Sequence, residues 1–313
     1  MKKVTKIFIV IIVSLALLLI ACFSYNCVQT SNELETLDPL GITVPVGNGK
    51  MSIYTEGNGN KTLVFLSGGG TCSPILDFKS LYKTLSDTYK IVVVEKFGYG
   101  YSDIIPRSRD IDVILNDTRE ALHEAHINGP FILVPHSASG LEALYWAQNY
   151  PNEVEAIIGL DMATPYHYEK IDFSIPLLYI GRELHLIGFT RFIPGIWKGD
   201  AVKYGTLTEE EKQLYKAIFF SRTATRNMMD EIKSVKHNAQ KVSLRSYPHI
   251  PILLIISNGK GTGIKTDEWR LCSKQFKESC DDCEIIEYDA PHYIHDYKYN
   301  EISEDIDNFI EIL

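Results

Sequence analysis

At 313 residues, with 45% apolar and 23% charged side chains, the chain has the make-up of an ordinary globular protein, long enough for one large domain or a domain with an insert. Its net charge of −9 leaves no basic stripe to neutralise phosphates and argues against a nucleic-acid partner. Neither an internal repeat nor a low-complexity tract stands out.

The N-terminus reads as separate from the fold. Lys2, Lys3 and Lys6 precede an apolar segment, residues 7–23, interrupted only by Ser14. That length is at the short edge of a bilayer span and a little above a signal-peptide core. It ends in Leu19-Ile20-Ala21-Cys22, similar to a bacterial lipobox, where cleavage frees a cysteine that receives lipid. Phe23 is unusual beside such a cysteine, so an uncleaved helical anchor stays open. Under the positive-inside rule both readings place the remainder outside the cytoplasm, held to the membrane. Residues 24–47, polar and patternless as far as Pro39, read as a tether.

From residue 49 strands and helices alternate. Residues 50–55 form a short alternating strand, and 61–66 an apolar strand running into Ser67-Gly68-Gly69-Gly70. Helical spacing covers 78–85, a buried strand 91–94, and an amphipathic helix 111–126. The apolar run 131–134 stops at Pro135-His136-Ser137-Ala138-Ser139, and a helical pattern follows at once to Asn149. A strand over 154–160 ends at Asp161. Residues 164–247 then break the rhythm with helical patterns at 176–186, 208–220 and 225–235 and no clear strand. They read as a helical cap over the carboxyl end of the sheet, where ligands bind in such folds. Tyr166, Tyr168, Phe189, Phe192, Ile196 and Trp197 either line an apolar pocket there or pack the cap itself. Strands at 250–256 and 284–288 flank a helix at 265–277, and an amphipathic helix over 300–312 closes the chain. This alternation implies a mostly parallel, doubly wound α/β sheet with helices on both faces.

Of the six cysteines only Cys280 and Cys283 are closely spaced. They lack the second pair, or the histidines, of a zinc site. A local disulfide is the expectation for an exported chain.

A strand that turns sharply into a helix around one serine pushes that hydroxyl onto the first helical turn. There the helix dipole favours the negative charge that develops on attack. The elbow at Ser137 resembles the nucleophile elbow of the α/β-hydrolase superfamily, with Pro135 and Ser139 in place of its glycines. Three further stretches resemble that family's capped branch of esterases, lipases and peptidases over residues 50–312. Leu66-Ser67-Gly68-Gly69-Gly70 stands where the oxyanion loop falls, and Glu95-Lys96-Phe97-Gly98-Tyr99-Gly100-Tyr101-Ser102-Asp103 is similar to D-x-x-G-x-G-x-S-D. Ala290-Pro291-His292 follows the last strand, where the family carries its histidine.

The resemblance implies Ser137 as nucleophile, His292 as base, and the backbone amides of Gly69 and Ala138 as oxyanion donors. His295 is the competing histidine, and His136 reads as packing. For the acid, the usual turn after the seventh strand, Ser257 to Gly263, has no carboxylate, leaving Asp267 in the next helix. The alternative lies after the sixth strand, where Gly159-Leu160-Asp161-Met162-Ala163 resembles the lipase Gly-Leu-Asp-Pro-Ala; Asp161 is favoured. The implied activity is hydrolysis of a carboxylic ester, or a small amide or peptide, through an acyl-enzyme, with no metal or organic cofactor. A non-hydrolytic enzyme on the same fold and a catalytically silent surface-binding domain are the other readings.

Overall fold

The computed structural model describes residues 2–35 and 38–313. Strands β1 (Ile42–Val46), β2 (Gly49–Glu56), β3 (Thr62–Leu66), β4 (Lys90–Glu95), β5 (Phe131–Pro135), β6 (Val154–Leu160), β7 (Ile252–Ile256) and β8 (Cys283–Glu287) form one sheet. Their order is β1-β2-β4-β3-β5-β6-β7-β8. The β1–β2 and β2–β4 pairs are antiparallel and every other pair is parallel. The runs Thr-Leu-Val-Phe-Leu of β3 and Ile-Leu-Leu-Ile-Ile of β7 are buried at every position, because helices cover both faces.

Side chains alternate across each strand, so each strand feeds two cores. Leu63 and Phe65 face one way with Val93, Ile132 and Ile158, against helices α2 (Lys79–Leu85) and, at the other end of the chain, Tyr299–Glu311. Val64 and Leu66 face the other way with Leu133 and Ile157. Helices α3 (Ile111–Glu124), α4 (Ser139–Asn149) and, further on, Thr266–Glu278 cover that side.

Between β6 and β7 the longer elements are helices α5 (Ile175–Leu186), α6 (Glu209–Arg222) and α7 (Arg226–Ser243), with no strand among the described residues. Helices α8 (Thr266–Glu278) and α9 (Tyr299–Glu311) complete the chain. Helix α7 runs eight residues past the sequence expectation. Its Asn238 accepts from Ile111 N at 3.0 Å and donates to Arg109 O at 2.9 Å, tying the extension to the core.

Buried charge fastens α7 to the sheet. Glu231 accepts from Lys96 Nζ at 2.7 Å and also pairs with Arg109, all three almost fully buried. Burial alone would raise the Glu231 carboxyl, but the two cations outweigh it and hold it at about 2. Glu95, the residue that departs from the family aspartate, caps the following turn by accepting from Tyr101 N at 2.8 Å. Burial pushes its carboxyl up to about 7. A Cβ on Gly100 would fall 1.9 Å from Glu95 Oε1, so the turn requires glycine there.

Two expectations are corrected. The stretch expected to be a patternless tether carries regular structure: the N-terminal helix, Lys2–Glu35, continues through 24–35, and β1 occupies 42–46. The helix persists because Arg191 clasps it, donating to Asn26 Oδ1 at 2.5 Å, Thr30 Oγ1 at 2.9 Å and Glu33 Oε1 at 2.8 Å. β1 persists because Val44 and Val46 are buried in the core. The cysteines are free, Cys280 and Cys283 included. Cys283 is carried inward as the first residue of β8, while Cys280 stays in the turn behind α8.

Removing Glu231 leaves Arg109 buried without the carboxylate it pairs with, and Lys96 with only Glu142, 4.0 Å away. Glu231→Ala should therefore cost about 3–5 kcal/mol in a urea unfolding titration. Because Glu95 keeps its proton in the folded chain after the unfolded chain has released it, its contribution to stability falls as pH rises from about 4.5 to about 7. Glu95→Gln should flatten that part of a stability–pH curve.

Candidate active site

Parallel register brings four strand ends to one edge. Leu66 pairs with Pro135, which sets the Ser67–Gly70 loop beside the elbow after β5. Leu160 pairs with Ile255, so Asp161 emerges level with the end of β7.

The elbow is strained as its sequence requires. Ser137 has φ 53°, a left-handed backbone that a non-glycine residue holds only when its surroundings enforce it. Enforcement comes from Ser137 O accepting from Ala163 N at 2.8 Å and Gly140 N at 3.0 Å. Pro135 is compatible with this turn. The β5–β6 ladder is interrupted around Pro135, which has no N–H to give, and resumes as a single bridge between His136 and Leu160. Ser139 replaces the second glycine and adds a bond: its Oγ donates to Leu66 O at 2.6 Å.

Three side chains meet here. His292 Nε2 lies 2.8 Å from Ser137 Oγ, and His292 Nδ1 lies 2.5 Å from Asp161 Oδ2. With Nδ1–H donating to the carboxylate, Nε2 is left to accept from the serine hydroxyl. Asp161 is fully buried, yet it is saturated with donors. Ser257 N donates at 2.7 Å, Ser257 Oγ at 2.6 Å and Trp269 Nε1 at 2.8 Å. Burial opposes its ionisation, but the bonds from His292 and Ser257 outweigh burial and hold the carboxyl below its ordinary value. Ser257 and Trp269 were not singled out from sequence. The missing carboxylate in the Ser257–Gly263 turn was the available signal, because a hydroxyl there serves a carboxylate from elsewhere.

Gly69 and Ala138 both line the cavity above Ser137, and a Cβ on Gly69 would touch the Ala138 Cβ at 3.8 Å. Among the described residues neither amide has a hydrogen-bond acceptor. Gly68 sets the approach of this loop: a Cβ there would stand 2.7 Å from Ser137 Cβ.

The competing residues are elsewhere. His295 Nε2 is 3.1 Å from Asp77 Oδ2, in the buried layer behind the elbow. Asp267 is exposed in the first turn of α8. His136 is buried, its Nε2–H donating to His292 O at 3.1 Å. Burial, with His292 and His295 nearby, lowers its pKa well below the usual imidazole value, so the ring is neutral. It packs under the His292 loop.

The cavity measures about 250 Å³. Ser137, Trp269 and His292 form its floor, and Tyr168, Ile171, Phe173, Ile232 and Val235 of the insert form its walls. Tyr168 is thus one of the aromatic residues for which lining and packing had both been open. Phe189 and Phe192 stand exposed, away from it.

Comparison with known proteins agrees with this architecture. A family model described as alpha/beta hydrolase fold matches residues 61–179. An uncharacterized protein of Bacillus subtilis (strain 168), YbdG, is 39% identical over 265 residues, covering 82% of this chain and 81% of its own length. A mutant epoxide hydrolase from Bacillus megaterium is similar in structure, with TM-score 0.66 at 17% identity over 86% of this chain and 100% of its own. A haloalkane dehalogenase variant from Bradyrhizobium elkanii gives TM-score 0.60 at 17% identity over 86% and 95%. At such identities the structural likeness is one of fold.

Gly68→Ala should force the loop and elbow apart. The expected cost is about 1–3 kcal/mol of stability by chemical denaturation, as for other overpacked sites. A normal unfolding midpoint would mean that the loop tolerates the methyl group.

Proposed function

The chain belongs to the α/β-hydrolase superfamily, and from that premise we propose that it is a serine hydrolase cleaving a carboxylic ester, or a small amide, through an acyl-enzyme. The observation that carries this reading is the unbroken contact from Asp161 through His292 to Ser137.

In the proposed cycle Ser137 Oγ attacks the substrate carbonyl carbon as its proton passes to His292 Nε2. The carbonyl electrons move to oxygen, and the amides of Gly69 and Ala138 donate to that oxyanion. Asp161 stays ionised, orients the ring and stabilises its positive charge. Collapse expels the alcohol, which takes the proton from His292, and leaves an ester on Ser137. Water then repeats the sequence, releasing the acid and restoring the serine.

Chemistry separates this reading from the activities named for the structural neighbours. A serine that opened an epoxide or displaced a halide would be left as an ether, which water does not readily cleave. A serine at the elbow therefore favours an acyl carbon, whose ester intermediate is hydrolysable. The intact Ser137–His292 contact weighs against a silent binding domain. Residues 164–247 serve as the cap, supplying the apolar walls of the cavity. The N-terminal helix holds the enzyme to the membrane from outside the cytoplasm, as an uncleaved span or through a lipidated Cys22. Mass spectrometry of the membrane-bound form separates the two, since only the span retains residues 1–6.

Ser137→Ala should lower turnover of short-chain aryl esters by about 10⁶ with the fold intact. Asp161→Asn should lower it by about 10⁴ with little change in KM, because the amide favours the wrong tautomer. Asp267→Asn should be silent. Full activity in the Ser137 or Asp161 variant would refute the triad.

A further inference from the structure

The insert carries an apolar surface that the fold leaves uncovered. On α5, Leu177, Ile180 and Leu184 recur at helical spacing on one face and are exposed, Leu177 to 65% and Ile180 to 57%. Phe189 and Phe192, in the turn that follows, are exposed to 49% and 58%. Large apolar side chains left exposed in such number within one segment mark an interaction site.

The N-terminal helix identifies what covers it. Asn26 Nδ2 donates to Leu186 O at 3.0 Å, Tyr25 meets Phe192 with ring centroids 5.8 Å apart, and Arg191 holds Asn26, Thr30 and Glu33. A Cβ on Gly188 would lie 2.5 Å from Asn26 Cβ and 3.1 Å from Cys22 O. The turn at 186–192 is therefore docked where the apolar segment ends at Phe23. At 1.5 Å rise per residue, Phe23 and Asn26 are only about 5 Å apart along the axis. A membrane-spanning helix and a lipid on Cys22 both set the bilayer surface at this level. Trp197, with Lys198 and Lys216 over its ring at 5.6 and 5.8 Å, adds the aromatic and cationic side chains typical of a membrane interface.

The same surface leads to the catalytic cavity. Phe173, two residues before α5, lines that cavity and is itself exposed.

We propose that the edge formed by Leu177, Ile180, Leu184, Phe189 and Phe192 is immersed in the membrane–water interface, and that the substrate is an amphiphilic ester whose acyl chain enters from the bilayer past Phe173. This rests on the proposed anchor and on Ser137 as nucleophile. Burial of the stripe in lipid offsets the cost of exposing it, and a substrate already in the bilayer meets the cavity without crossing water.

The test uses the full chain reconstituted in vesicles of phosphatidylcholine and phosphatidylglycerol with brominated acyl chains. Phe189→Trp should show emission quenched about two-fold beyond the native tryptophans, whereas Leu244→Trp, exposed at the far end of α7, should not. An unquenched Phe189→Trp in protein that floats with the vesicles overturns the docking. Protein that does not float overturns the anchor, and the docking with it. For delivery, Leu177→Glu with Ile180→Glu should leave cleavage of soluble aryl acetate within about two-fold and lower cleavage of a vesicle-borne long-chain monoacylglycerol by about ten-fold or more. Equal effects on the two substrates overturn delivery. Inactivity of the parent chain toward both would instead count against the hydrolase reading.

Discussion

A carboxylate shut away from water stays charged only if donors replace its hydration, and the site depends on how the fold does this for Asp161. Its donors come from three separate places: the end of β7, helix α8 and the loop after β8. No local segment could assemble them. Parallel pairing of β6, β7 and β8 brings these chain ends level, and the loop at Ser257 then wraps the carboxylate. Asp161 itself has φ 45°, a left-handed turn that its bonds hold in place. With the carboxylate fixed, one nitrogen of His292 is committed to it and the other is left for Ser137.

The elbow obeys the same logic on the opposite side of the histidine. A left-handed serine and the close approach of Gly68 are unfavourable alone. They persist because Ser139 Oγ, Ala163 N and the buried face of α4 all tie the turn to its neighbours. Strain of this kind is affordable in a sheet buried on both faces. The ion cluster of Lys96, Arg109 and Glu231 extends the rigid region to α7, whose Ile232 and Val235 line the cavity. The walls are thereby held in register with the floor.

Much of this was legible in the sequence because central strands of a doubly wound sheet are continuous apolar runs, and strand ends carry the chemistry. The runs ending at Leu66, Pro135, Leu160 and Ile256 announced the edge at which Ser137, Asp161 and His292 come together. What was not legible rests on distant partners. The helix past Phe23 depends on Arg191, and β1 on its pairing with β2 despite the proline at position 45. Trp269 reads as an ordinary amphipathic-helix residue until its indole is seen on Asp161. The Cys280–Cys283 spacing suggested a bond, but the strand start that carries Cys283 inward is set by pairing with β7, and both thiols stay free.

The most direct measurement of the central claim is covalent labelling of the purified chain with a fluorophosphonate, followed by peptide mapping. A serine hydroxyl reacts with this probe only when a base takes its proton, so the label reports the state of the nucleophile without knowledge of the substrate. A triad at this site predicts a single adduct on Ser137 that is lost when His292 is replaced by alanine. An adduct on another serine, or a folded chain that takes up no probe, would contradict it.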